Sequence, residues 1–324
     1  MMYRLLRWFA GIALHWFYRE IRVLDREKIP TRGPLLIAAN HQNALVDSLI
    51  AGWIIPRRIT MTAKATLSEN PLVAALFRII GVVPLRRTSD ESRKSGGSPL
   101  DRARNVGAFR EILRTLEKDG AILIFPEGKS HNEVGLEPLR TGLARLALQA
   151  RDEQLIKGAR IVPVGLIFEN KGVPGSIVGV RIGDAIEMDT WAGRDPAKLT
   201  LEIAKRMRSV SELAGLPSAD SNEAPSGYSM PTRRLITLAA TWGHLTHEIP
   251  IRIARKLALR RSDDADQPAM LTMMFGIGLV LLAYLLQITV VGVLVRSFWI
   301  TSLYVASLLT GAYWAAFEKH PQHY

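Results

Sequence analysis

Cysteine is absent from all 324 residues. That excludes disulfides, thiolate metal sites and cysteine nucleophiles, and it leaves no sign of an oxidising compartment. No Gly-x-Ser-x-Gly elbow occurs, which argues against a serine hydrolase of that kind. A phosphate-binding P-loop is missing too. Gly128-Lys129-Ser130 supplies its end, but Leu123 stands where its first glycine is required. No internal repeat of solenoid length is found. Acidic residues are the minority: 30 Asp and Glu face 42 Lys and Arg, a formal charge of +12. Such a balance suits nucleic acid, an anionic membrane surface or phosphorylated small molecules. With 48% hydrophobic and 22% charged residues, wholesale disorder is excluded. The length allows one large domain with appendages, or two domains.

The apolar residues collect at the two ends. Residues 269–295 carry no charge, Arg296 follows, and 297–317 are again uncharged. Each run is long enough to cross a hydrocarbon core about 30 Å thick. The pattern predicts a tight helical hairpin that spans the membrane. Trp299, Tyr304, Tyr313 and Trp314 lie toward the ends of the second run, where aromatic belts sit. Just before it, Ile251–Arg261 holds five basic residues and no acidic one. Positive flanks favour the cytoplasmic side, so both hairpin ends are expected there. At the N-terminus, Arg4, Arg7, Arg19 and Arg22 alternate with bulky aromatics, and the uninterrupted apolar run Trp8–Phe17 is short. This reads as a retained helix at the membrane surface.

Between the ends, short apolar runs alternate with helical ones. Strands are expected over Pro34–Ala39, Arg58–Ala63, Ile79–Leu85, Ala121–Phe125, Ile161–Phe168 and Ser176–Ile182. Helices are expected over Ala44–Ile55, with Asn43 as cap, and over Asp101–Lys118, Leu139–Arg151 and Pro196–Ala214. Thr88–Pro99 reads as a polar loop and Gly215–Thr232 as a linker. Strands alternating with helices imply an α/β domain about one sheet. The expected organisation is a membrane-surface helix over 1–28, the α/β domain over 29–214 and a linker over 215–232. A basic juxtamembrane helical region over 233–268 and the transmembrane hairpin over 269–317 follow.

Three strand ends carry groups that can do chemistry. Asn40-His41-Gln42-Asn43-Ala44-Leu45-Val46-Asp47 follows a buried strand. His41 suits the role of a base near neutral pH, and Asp47 can orient its ring and stabilise the imidazolium. Taken alone, the pair also fits a histidine that merely satisfies loop backbone groups. Phe125-Pro126-Glu127-Gly128-Lys129-Ser130-His131 follows a second strand, where Gly128 permits close backbone approach to a ligand. Gly81–Arg87 ends a third strand with Arg86 and Arg87, whose guanidinium forks suit phosphate. Either arginine alone fits a surface charge opening a loop equally well, and Lys64, after another strand, is a weaker candidate.

Together, and in this order, the blocks resemble the glycerol-phosphate and lysophospholipid acyltransferases that make phosphatidic acid. Asn40-His41…Asp47 looks like that family's His–Asp motif, Gly81…Arg86 its second block and Phe125-Pro126-Glu127-Gly128 its third. Ile161-Val162-Pro163-Val164-Gly165 looks like its fourth, and Thr141-Gly142 with Ala144 resembles its Gly-Ala helix. The resemblance covers roughly residues 33–184. It implies an acyltransferase-type sheet flanked by helices and direct transfer from acyl-CoA or acyl-carrier protein, with no further cofactor and no metal. His41 would be the base and Asp47 its partner. Arg86 would hold the acceptor phosphate, assisted by Lys64 or Arg87, and Glu127 and Gly128 would bind the glycerol part. The implied acceptor is lysophosphatidate. The alternatives are glycerol-3-phosphate as acceptor, a CoA-independent transacylase, and a lipid-binding scaffold without catalysis. The implied location is the cytoplasmic face of a bacterial inner membrane, on anionic lipid and without nucleic acid. One departure stands out: five residues separate His41 from Asp47, where the family usually has four. The extra residue is expected in the turn before the helix. A minority branch with glycerol-3-phosphate-acylating members looks similar there and in having Ser-His after Glu-Gly.

Overall fold

The computed structural model describes residues 2–65, 69, 71, 74, 77–78, 81–85, 100–131, 135–212, 230–262 and 267–317. An eight-stranded mixed sheet is at its centre, in the order β1-β7-β6-β2-β5-β3-β4, with β8 also paired to β6. The strands are β1 (Glu20–Leu24), β2 (Leu35–Ala39), β3 (Ile59–Lys64), β4 (Val83–Leu85), β5 (Ala121–Ile124), β6 (Arg160–Phe168), β7 (Ile177–Ile182) and β8 (Ile186–Glu187). The ladder β6-β2-β5-β3-β4 is parallel throughout. β7 and β8 run antiparallel to β6. Every residue of β2 and β5 is buried, as strands covered on both faces require.

Two apolar layers cover this sheet. On one face α2 (Ala44–Ile54) buries Val46, Ile50 and Ile54, joined by Leu14 and Phe17 of α1 (Met2–Phe17). On the other lie α3 (Leu100–Glu117), α4 (Gly142–Asp152) and α5 (Pro196–Ser211), which contribute Ile112, Leu116, Ala147, Leu199 and Ile203. The end of α5 comes so close to β6 that a Cβ on Gly165 would lie 2.0 Å from the Val210 carbonyl. Only a residue without a side chain fits there.

The segment expected as one surface helix through residue 28 divides. α1 ends at Phe17, and Glu20–Leu24 joins the sheet edge beside β7. α6 (Met230–Arg261) follows the stretch expected as a linker, of which 213–229 lie outside the described residues, as does the expected loop Thr88–Pro99. α7 (Pro268–Val295) and α8 (Phe298–Phe317) form the expected hairpin, turning at Arg296. Among the described residues, one helix, α7, is long and apolar enough to cross a membrane by length and composition. Its first turns touch the domain: Ala269 and Met273 lie in the same apolar cluster as α1 and α2.

Candidate functional site

Four parallel strands deliver the candidate residues to one edge of the sheet. β2 leads into His41, β5 into Glu127, β3 ends at Lys64 and β4 ends at Leu85, opposite Lys64. Ligands of open parallel sheets bind beyond the carboxyl ends of the strands. Arg86 and Arg87 lie outside the described residues, and Lys64 is placed here by its backbone alone.

His41 and Asp47 meet. His41 Nδ1 donates to Asp47 Oδ2 across 2.9 Å, and the Asp47 side chain is fully buried. With Nδ1 carrying the proton, Nε2 keeps its lone pair, the form a general base needs. The imidazole stacks on Phe125 at 4.1 Å between centroids, which fixes the ring plane. Asp47 Oδ2 also accepts from the Asn43 backbone N–H at 2.8 Å. The carboxylate therefore closes the turn before α2 as well as orienting the ring. Ala44 begins α2 with φ +43°, a left-handed backbone between His41 and Asp47. Asn43 makes no side-chain cap. Its Nδ2 instead donates to Tyr18 Oη at 2.7 Å and to the Lys171 carbonyl at 3.1 Å.

Glu127 is turned inward, onto protein donors. Its residue is 2% exposed. Oε1 accepts from the His41 backbone N–H at 2.7 Å. Oε2 accepts from His131 Nε2 and, at 2.9 Å, from the Glu137 N–H. The family resemblance implied a substrate contact; in the fold both oxygens hold protein donors. His131 completes a grip on His41, because its N–H donates to the His41 carbonyl at 3.2 Å. Gly128 adopts φ +80° beneath Arg140, whose Nε would stand 2.8 Å from an added Cβ.

Several supporting residues were not singled out by the sequence pattern. Asn40 exchanges two bonds with Leu166 on β6, donating from Nδ2 at 2.9 Å and accepting at Oδ1 at 2.7 Å. The Lys171 ammonium donates to the carbonyls of Gln42 at 2.8 Å and His131 at 3.1 Å. It thereby ties the first block to the third. Tyr18 is fully buried and donates to the Lys171 carbonyl at 3.0 Å. Burial, and then the negative Asp47 nearby, push its phenol well above the usual range, so it stays a neutral donor. Tyr18 and Lys171 meet the site only through tertiary contacts; Asn40 alone had a local signal, its place directly before His41.

Residues 20–167 match the family model described as Acyltransferase. Over these residues the chain is similar to that family's acyltransferase domain. It is 24% identical to glycerol-3-phosphate O-acyltransferase 1 of Saccharomyces cerevisiae, over 65% of this chain and 39% of that one. It is 29% identical to lyso-ornithine lipid O-acyltransferase of Pseudomonas aeruginosa, over 53% of this chain and 56% of that one. The chain thus spans well under two thirds of either relative's length. Among solved structures it is similar to the 1-acyl-sn-glycerophosphate acyltransferase PlsC of Thermotoga maritima. That match is 19% identical, covers 64% of this chain and 78% of that one, and has a TM-score of 0.48.

Proposed function

We propose that this protein is a membrane-associated O-acyltransferase. It moves a fatty acyl group from acyl-CoA or acyl-carrier protein to the free hydroxyl of 1-acylglycerol-3-phosphate, giving phosphatidic acid. The observation that carries this reading is the bond from His41 Nδ1 to Asp47 Oδ2, at the sheet edge where the acyltransferase blocks converge. His41 Nε2 takes the proton of the acceptor hydroxyl as its oxygen attacks the thioester carbonyl carbon. The tetrahedral intermediate then collapses, breaking the C–S bond. The imidazolium, stabilised by Asp47, returns its proton to the leaving thiolate. No covalent enzyme intermediate and no redox step is needed. Arg86, immediately past the edge strand β4, and Lys64, opposite that strand's last residue, hold the acceptor phosphate. Thioester donors of this kind are soluble in the cytoplasm, so the site faces that side of the membrane.

The acceptor joins two chemistries found in the relatives' names, a glycerol phosphate and a lysolipid. A second reading, glycerol-3-phosphate as acceptor, is favoured by Ser130-His131 after Glu127-Gly128 and by the yeast relative. The test is transfer by the purified full-length protein in lipid vesicles, from labelled acyl-CoA or acyl-carrier protein to each acceptor in turn. Labelled phosphatidic acid from 1-acylglycerol-3-phosphate supports the first reading. Labelled lysophosphatidate from glycerol-3-phosphate alone supports the second. No transfer from either thioester to either acceptor overturns both.

A further inference from the structure

The hairpin does not pack alone. α6 lies antiparallel to α7 along a seam of small and buried residues, Ala240, Gly243, His247, Ala254 and Ala258. Gly243 allows contact with α8, where an added Cβ would come 2.0 Å from the Gly311 carbonyl. The register against α7 is set by three contacts. Arg255 Nη1 donates to Thr272 Oγ1 at 3.5 Å, Ala254 Cβ lies 4.0 Å from a Cβ built on Gly276, and His247 bonds Tyr284. Both helices rise equally per residue, so the first turns of α6 come to lie beside Val295 and Arg296.

Two consequences bear on how this unit meets a membrane. The first concerns charge. Glu248 and Arg252 pair on a face of α6 that also carries Arg234 and Thr241, and their side chains are 52% and 76% exposed. Glu248 stands next to His247, hence level with Tyr284, near the middle of α7. If α7 crossed a bilayer, this exposed pair would face lipid near the midplane, where charged side chains are strongly disfavoured. The second concerns connectivity. Residues 213–229 lead from α5, which is packed on the sheet, to Met230, and they include Pro217, Asp220, Glu223 and Pro225. Such a segment cannot traverse hydrocarbon, because its backbone polar groups would go unsatisfied and it holds no apolar run of spanning length. Met230, and with it the Arg296 turn, therefore stays on the side of the catalytic domain. The opposite end of α7 is on that side too, since Ala269 and Met273 are built into the domain's core.

We propose that α6, α7 and α8 form a layer that lies in one leaflet, parallel to the membrane, instead of a hairpin that spans it. The lipid-facing surface includes Leu235, Leu238, Leu245, Ile249 and Ile253 of α6, each about half exposed or more, together with exposed leucines of α7 such as Leu281, Leu285 and Leu286. Centred about 80° around α6 from it, and adjoining it at Leu245, runs the stripe of Arg234, Thr241, Glu248 and Arg252, which faces water and headgroups. Arginines mark both ends of the layer, Arg234 and Arg296 at one and Arg260 and Arg261 at the other, all exposed. They complement the anionic headgroups of the same leaflet. A second copy of the chain covering the same stripe is the competing occupant.

The proposal is independent of the acyl-transfer reading. Because the chain has no cysteine, single cysteines report sidedness without background. Full-length Ser297→Cys at the turn, Thr237→Cys on the α6 polar stripe and Ser209→Cys on exposed α5 are each treated with a membrane-impermeant maleimide. Sealed membrane vesicles of both orientations are used. The expected result is that all three label from the same side. Ser297→Cys labelled only from the side opposite Ser209→Cys, or protected from both sides until detergent is added, overturns it. So does a chain that floats free of vesicles as a dimer.

Discussion

Glu127 holds His41 by its backbone: Oε1 accepts from the His41 N–H at 2.7 Å, while Oε2 binds His131, whose own N–H reaches the His41 carbonyl. The third block of the site therefore clamps the peptide of His41 from both sides. Buried carboxylates with all donors in place are costly to disturb, because each partner left behind is itself buried.

Glu127→Gln turns one acceptor oxygen into a donor facing N–H groups. The expected outcome is a fall in kcat of about 100-fold, the scale of a base displaced by about 1 Å, with the acceptor KM changed little. Steady-state kinetics on both substrates checks it. A rise in acceptor KM at constant kcat would return Glu127 to a substrate-binding role.

Asp47→Asn keeps the size but removes the charge that favours Nδ1–H and the imidazolium. By analogy with triads, kcat should fall on the order of 10³–10⁴-fold. Circular dichroism should show the fold retained. Activity within a few-fold of the unaltered protein would mean that Asp47 serves only to close the turn at Asn43.

Arg86→Ala should act on binding. Loss of a charge-assisted bond to phosphate costs about 1.5–3 kcal/mol, read as a raised KM for the phosphorylated acceptor and an unchanged donor KM. A raised donor KM would move the phosphate site elsewhere.

The full-length protein should remain on membranes through a high-salt wash and leave them only in detergent. Salt screens the arginine contacts. It leaves the apolar stripe, where each fully buried leucine or isoleucine contributes about 1.5–3 kcal/mol. Release by salt alone would mean that the exposed leucines of α6 and α7 do not contact lipid.

Much of this was legible in local sequence. Leu35–Ala39 and Ala121–Ile124 are short continuous apolar runs, the mark of strands buried on both faces, and both are central. The helices α2 to α5 follow their apolar periodicity to within a few residues at each end. What escaped depends on distant partners. Glu20–Leu24 follows a strongly helical run, and its strand exists because β7, far along the chain, offers an edge. Asn43 has the residue type of a helix cap, yet its amide is taken by Tyr18 and Lys171, 25 and 128 residues away. Asp47, chosen for chemistry, turned out to close the turn as well. Glu127 lay in the right block, but only the fold shows that both its oxygens face inward. The basic segment at the end of α6 was legible as a run of charge, but the exposed apolar residues of that helix begin well upstream, at Leu235, where the composition is mixed.

The most direct measurement compares acyl transfer by the full-length protein and its His41→Ala variant, matched for expression and membrane location. Removing the base should lower kcat by about 10²–10⁴-fold or more, with phosphatidic acid formed by the unaltered protein falling toward background. A variant within threefold of the unaltered protein would contradict the assignment of His41 as the base, and with it the proposed mechanism.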